Sequence, residues 1–372
     1  MTVARTGLPL LLALALTGCS GDGDGSRHER PPAADAAVPA ATGPTPPANA
    51  SWVAPLAAAI ERIDRDTPGA LGVYLRRLDD GATLSHAGER PWYLASTVKV
   101  PVAIAVLEAV EEGRLALDEA LELRRSDFVD GAGDLIWQEP GGRYPIATLL
   151  EKSLVHSDST ATDMLIRRLG EDELNRRIAR WLPGGGFGPL TTILQVRYDA
   201  YGELHPGVAG LDNMDLVRLK NAEPGAARLE ALRAQLGVPR SELAADSIDD
   251  AFERYYRSPR NSATLQAFAT LLEKLVRREL LSEAHTGLLL GHMAAITTGR
   301  RRIQAGLPAG TPFAQKTGTQ LARACNMGIL RPDAPDAVVV AACVERFDAL
   351  ADAERALAEL GRALSAAGLA GD

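Results

Sequence analysis

The sequence predicts an α+β fold: a five-stranded antiparallel sheet formed from both chain ends, with an all-α domain inserted between its halves (an α/β sandwich). Three observations predict it. Strand-like apolar runs gather at residues 71–86 and again at 312–344. Helical spacing dominates the stretch between them. With 372 residues, 46% hydrophobic and 24% charged, the chain can bury the core that such a layered arrangement needs.

Met1 to Cys19 reads as a bacterial export signal. Arg5 supplies its positive charge, and Leu8 to Leu16 is an apolar stretch too short to anchor in a bilayer. It ends in Leu16-Thr17-Gly18-Cys19, which resembles the lipobox of bacterial lipoproteins, where the cysteine is acylated. The alternative is an ordinary secretory signal with a chance cysteine. Ser20 follows where an aspartate would mark inner-membrane retention, so the expected address is the periplasmic face of the outer membrane. Residues 20–50, rich in Gly, Pro and Ala, read as a tether. The folded domain is expected over 51–372, its α/β part at about 51–120 and 305–372 and its helical part at about 121–304.

Pro55 to Asp66 has helical spacing through Leu56, Ile60 and Ile63. Leu71–Leu75 and Ala82–His86 form a hairpin around Asp79-Asp80-Gly81. Val100 to Val110 is apolar nearly all round, a buried helix that must start near Val98–Val100 to accommodate Pro101. Ile146 to Leu182 is helical, Pro183 to Pro189 a loop, Leu216 to Leu236 helical with a break at Pro224-Gly225, and Ser262 to Leu281 helical again. Strands return at Pro312–Gln315, Cys325–Leu330 and Val338–Val344, and Ala349–Ala367 is a final amphipathic helix.

Formal net charge is −8, and no basic block is long enough to track a phosphate backbone, so nucleic acid is not an expected partner. The six histidines form no metal-binding spacing and there are three cysteines, so no metal site is expected. Of the 40 basic residues only five are lysines: Lys99, Lys152, Lys220, Lys274 and Lys316. A lysine here is the exception, and its position carries information.

Three short motifs carry chemistry. Ser96-x-x-Lys99 places a hydroxyl and an amine three residues apart on a helix face, and a desolvated lysine can take a serine's proton. The alternative is a helix-start serine with no such task. Ser157-Asp158-Ser159 offers a proton relay, or plain N-cap chemistry. Lys316-Thr317-Gly318-Thr319 sets an ammonium, hydroxyls and a glycine after a strand, suited to a carboxylate-bearing ligand, or to a surface turn.

S-x-x-K, S-D-N/S and K-T-G in that order resemble the class A β-lactamases and penicillin-binding proteins, over about residues 53 to 367. The resemblance implies Ser96 as nucleophile, Lys99 as its activating partner and Ser157 as a proton shuttle to the leaving nitrogen. It implies Ser159, Lys316, Thr317, Gly318 and Thr319 as substrate-binding residues, with an oxyanion hole at the N–H groups of Ser96 and Thr319. It also implies no cofactor.

The sequence departs from this family in places. The family's deacylating glutamate has no clear counterpart; Glu203 is the candidate, with Asp199 of Arg197-Tyr198-Asp199 as the alternative. Ser159 replaces the usual asparagine and cannot offer both an N–H and a C=O at the same reach. The stretch 207–260 is longer and more charged than family norms: a lid, an extra helical pair, or, as expected, a solvated surface. Cys325 and Cys343 flank a hairpin centred on Ala334 and lie opposite each other, so they form a cross-strand disulfide or remain two buried thiols. Arg323 assists carboxylate binding or is an ordinary surface arginine.

The expected function is β-lactam ring opening through an acyl-enzyme on Ser96, by a monomer tethered through Cys19. The alternatives are a D-Ala-D-Ala peptidase acting on peptidoglycan-like substrates, another serine amidase or esterase, and a non-catalytic binding module.

Overall fold

The computed structural model describes residues 51–371; the export signal, Cys19 and the tether lie outside the described residues. α1 (Val53–Asp66) leads into β1 (Ala70–Arg77), β2 (Thr83–His86) and the short β3 (Pro91–Tyr93). A 3-10 turn, Ala95–Val98, runs straight into α2 (Lys99–Glu111). Next come β4 (Ala120–Glu122), β5 (Arg143–Pro145), α3 (Ile146–Val155), α4 (Ser159–Leu169), α5 (Glu171–Trp181) and α6 (Ile193–Gly202). α7 (Asn213–Asn221), α8 (Ala226–Leu236), α9 (Ile248–Tyr255), β6 (Ser262–Thr264), α10 (Leu265–Val276), α11 (Glu283–Ala294) and the one-turn α12 (Ile303–Gly306) follow. β7 (Phe313–Gln320), β8 (Arg323–Leu330), β9 (Val338–Glu345) and α13 (Leu350–Ala366) close the chain.

The main sheet has the order β2-β1-β9-β8-β7, antiparallel throughout. The chain ends meet where β1 pairs with β9, from Ala70↔Glu345 to Arg77↔Val338. Every residue of β8 and β9 is buried, because helices cover both sheet faces. Alternation then sorts the side chains: Val338, Val340, Ala342 and Val344 join the core under α1 and α13, while Val339, Ala341 and Cys343 join the core of the helical part.

α2 belongs to that second core. Val100, Ile104 and Leu107 pack with Leu149 and Leu165, so the helix falls in the helical part, although its sequence position lies within 51–120. The stretch 207–260 is not a solvated surface. It folds as α7, α8 and α9 around a third core with α6, built on Tyr201, Leu216, Leu232 and Phe252. Cys325 pairs with Cys343 in register and the two form a disulfide.

Candidate active site

Ser96 lies in the 3-10 turn and is half-buried; Lys99 opens α2 and is fully buried. The helix can start there because Pro101 falls in its first turn, where a backbone N–H has no partner to lose. Ala95 just before Ser96 has φ 47°, a left-handed conformation that costs an L-residue energy and is found where geometry matters.

Ser157 is also left-handed, at φ 58°. It sits between α3 and α4, and its hydroxyl accepts from two lysine side chains. Lys99 Nζ donates to Ser157 Oγ at 3.2 Å and also to the Ser157 carbonyl. Lys316 Nζ donates to the same Oγ at 2.9 Å and to the Thr317 carbonyl at 3.0 Å. Burial holds Lys99 down to about 7, against the opposing pull of Asp158 and Asp163. Burial, then the charges of Lys99 and Arg302, push Lys316 well below the usual lysine range.

Asp158 caps α4 by accepting the Ala161 N–H at 2.8 Å. Its other oxygen accepts the N–H groups of Asp134 and Leu135 at 2.9 and 3.0 Å, which ties the 131–135 loop to the site. That loop passes so close that a Cβ on Gly131 would fall 2.3 Å from Ser159 Oγ.

Lys316, Thr317, Gly318 and Thr319 lie inside β7 rather than beyond its end, because pairing with β8 continues to Gln320↔Arg323. β7 is an edge strand of the sheet and lies against the Ser96 turn. A Cβ on Gly318 would sit 2.5 Å from the Leu94 carbonyl oxygen and 2.9 Å from the Ser96 nitrogen. Only glycine lets the strand come this near the N–H of Ser96.

Ser96, Ser157, Ser159, Thr317 and Thr319 therefore line one cavity of about 360 Å³. Lys99 and Lys316 stand behind its Ser157 wall. Sequence reasoning did not single out Arg302, which also lines it. Arg302 is buried, donates to the carbonyls of Gly318 and Cys325 at 2.9 and 2.8 Å, and to the Thr319 hydroxyl. It stands where Arg323 was the candidate. Arg323 instead pairs with Glu253 and lies over the Tyr256 ring. Position alone could not separate these two arginines.

The structure does not bring Glu203 or Asp199 to this cavity. Glu203 is the exposed residue closing α6, and Asp199 is held by Gln195 and Arg260. Residues three and four apart share a helix face, and the face that α6 turns to the cavity carries Ile193, Val196 and Arg197. Asp163 fixes that helix in place: its carboxylate accepts the N–H groups of Ile193 and Leu194 at 2.7 and 2.8 Å, and burial raises its pKa to about 7. Two carboxylates reach the lining, Asp130 and Glu354, and each is ion-paired, with Arg197 and Arg301.

The model of the beta-lactamase enzyme family matches residues 55–367. The chain belongs to this family. Among curated relatives, the beta-lactamase of Mycobacterium tuberculosis is 27% identical over 350 residues, 93% of this chain and 91% of that protein. A beta-lactamase structure from Sphaerobacter thermophilus superposes with a TM-score of 0.61 at 25% identity, over 84% of this chain and 97% of that one. A mutant of PBP-A, solved as its acyl-enzyme complex with penicillin G, gives a TM-score of 0.60 at 25% identity over 84% and 95%. The mixed helix and five-stranded sheet architecture is that of the class A β-lactamases and penicillin-binding proteins, and the chain is a β-lactamase-like hydrolase.

Proposed function

We propose that this β-lactamase family member opens β-lactam rings through an acyl-enzyme on Ser96. The observation that carries the reading is the convergence of Lys99 and Lys316 on the hydroxyl of Ser157, at the wall of the cavity that Ser96 enters. Neutral Lys99 accepts the Ser96 proton as Ser96 Oγ attacks the lactam carbonyl. The tetrahedral oxygen is held by the N–H groups of Ser96 and Thr319, a stabilisation typically worth about 3 kcal/mol per donor. As the ring C–N bond breaks, Ser157 passes a proton to the nitrogen and is reprotonated from the lysines behind it. The substrate carboxylate docks at Thr317, Thr319 and Arg302, and its negative charge draws Lys316 back toward the protonated form. Water then releases the acyl group. With Ile193 and Val196 on the α6 wall and both lining carboxylates paired, this second step limits turnover.

Hydrolysis of a chromogenic cephalosporin by the full chain tests the reading. Ring opening that is lost in Ser96→Ala supports it; ring opening that survives in the variant excludes Ser96 as nucleophile. The protein is tethered to the outer membrane through acylated Cys19, a reading supported by Leu16-Thr17-Gly18-Cys19. Incorporation of labelled fatty acid that Cys19→Ala abolishes is the expected result.

A further inference from the structure

The cavity that holds Ser96 does not end at Thr319. A second hollow of about 320 Å³ adjoins it, and the two share Asp130, Arg197, Lys220, Thr319, Gln320 and Leu350. Its far side is built by the stretch 207–260, through Lys220 at the end of α7, Arg228 on α8 and Phe252 on α9.

The charge in this annex is one-sided. Arg197 and Asp130 neutralise each other. Lys220, one of only five lysines in the chain, is exposed and forms no ion pair among the described residues. Arg228 is buried and faces no carboxylate among the described residues; it donates to the carbonyls of Leu219, Lys220 and Ala222 at 3.0–3.1 Å. Asp130 is the one acidic residue of the lining and it is already taken. Two cations without a carboxylate partner among the described residues, in a walled hollow beside the site proposed to take the substrate carboxylate, create a second place for negative charge.

We propose that α7 and α8 add an anion-binding annex to the active site, which selects acyl donors carrying a second carboxylate on the acyl side of the scissile bond. The proposal rests on the β-lactam reading of the Ser96 site and names a substrate class for it. Lys220 supplies the mobile charge that meets the second carboxylate; Arg228, fixed by three carbonyls, supplies the standing positive field. Tyr201 and Phe252 wall the hollow against solvent, which strengthens the attraction.

The test compares benzylpenicillin with its α-carboxy derivative, which differ by one side-chain carboxylate. Binding is measured by calorimetry on the full chain carrying Ser96→Ala, with and without Lys220→Glu. The expected result is tighter binding of the dianion, by roughly fivefold for a partly exposed pair. Added salt should erode that preference and Lys220→Glu should remove or invert it by weakening the dianion more than benzylpenicillin, while Lys220→Arg retains the preference. Equal binding of the two compounds, or an equal loss for both in Lys220→Glu, overturns the annex and leaves the Ser96 reading intact. Failure of both compounds to bind overturns the β-lactam reading and the annex with it.

Discussion

At the residue scale, the chemistry depends on an amine that can be neutral near pH 7. Burial of Lys99 is the main reason it can be, and Asp158 and Asp163 limit how far its pKa falls. The neutral amine is the form that takes a proton from Ser96, so the sign is fixed. The acylation rate constant rises with pH through about 7 and levels off above it. Stopped-flow acylation across pH 5–9 reads this directly. Lys99→Arg stays charged throughout that range, so its acylation should fall by about 100-fold or more and lose the rise. A wild-type profile flat from pH 5 to 9 would assign proton transfer elsewhere. The three motifs were legible because their chemistry is local in sequence: Ser96 and Lys99 share one turn, and Lys316 to Thr319 share one strand. Arg302 and Asp163 were not, because each is defined by partners distant along the chain: Thr319 for Arg302, and the backbone of Ile193 and Leu194 for Asp163.

At the element scale, β7 and α6 set what the site can do. Gly318 lets the edge strand lie against the Ser96 turn, and a methyl group there meets backbone atoms that cannot rotate away. Gly318→Ala should therefore acylate at least tenfold more slowly, measured as the pre-steady-state rate, and lower the unfolding midpoint as the strand is pushed off the turn; unimpaired acylation would mean that the strand stands further off. On α6, the cavity face is apolar beside Arg197. Ile193→Glu places a carboxylate on that wall, and the lifetime of the acyl adduct by intact mass should shorten; an unchanged lifetime removes the wall from the deacylation step. Strand and helix positions were largely readable, including the break of α7 and α8 at Pro224-Gly225. The strand end at Gln315 was placed five residues early, since threonine, glycine and lysine resemble turn chemistry until β8 pairs with them. Glu203 and Asp199 are candidates by sequence pattern alone, which does not show which way they face: helical periodicity turns Asp199 off the cavity face, and Glu203 caps the exposed end of α6.

At the scale of the whole molecule, the two chain ends are held together by the β1–β9 pairing, and β8 joins the site-bearing β7 to that frame. The Cys325–Cys343 disulfide locks β8 to β9 one strand behind Gly318, which is opposite Cys325. It closes a loop over a sequence separation of 18 residues, for which chain entropy gives about 3 kcal/mol. Replacing both cysteines by alanine should lower the unfolding midpoint accordingly while the chain still acylates; an unchanged midpoint would mean that the bridge contributes nothing beyond the strand pairing. The split sheet was legible from where strand-like runs fall in the sequence. The third core around Tyr201 and Phe252 was not, because charged residues spaced along α7–α9 mask the apolar face that packs on α6. The central claim, that all of this framework serves a covalent step at Ser96, is tested most directly by time-resolved intact mass of the full chain mixed with benzylpenicillin. The account predicts an adduct of the whole penicillin mass, mapped to Ser96 by peptide digestion, which appears quickly and then decays as product accumulates. Ring opening with no adduct at any time, or an adduct mapped to another residue, would contradict it.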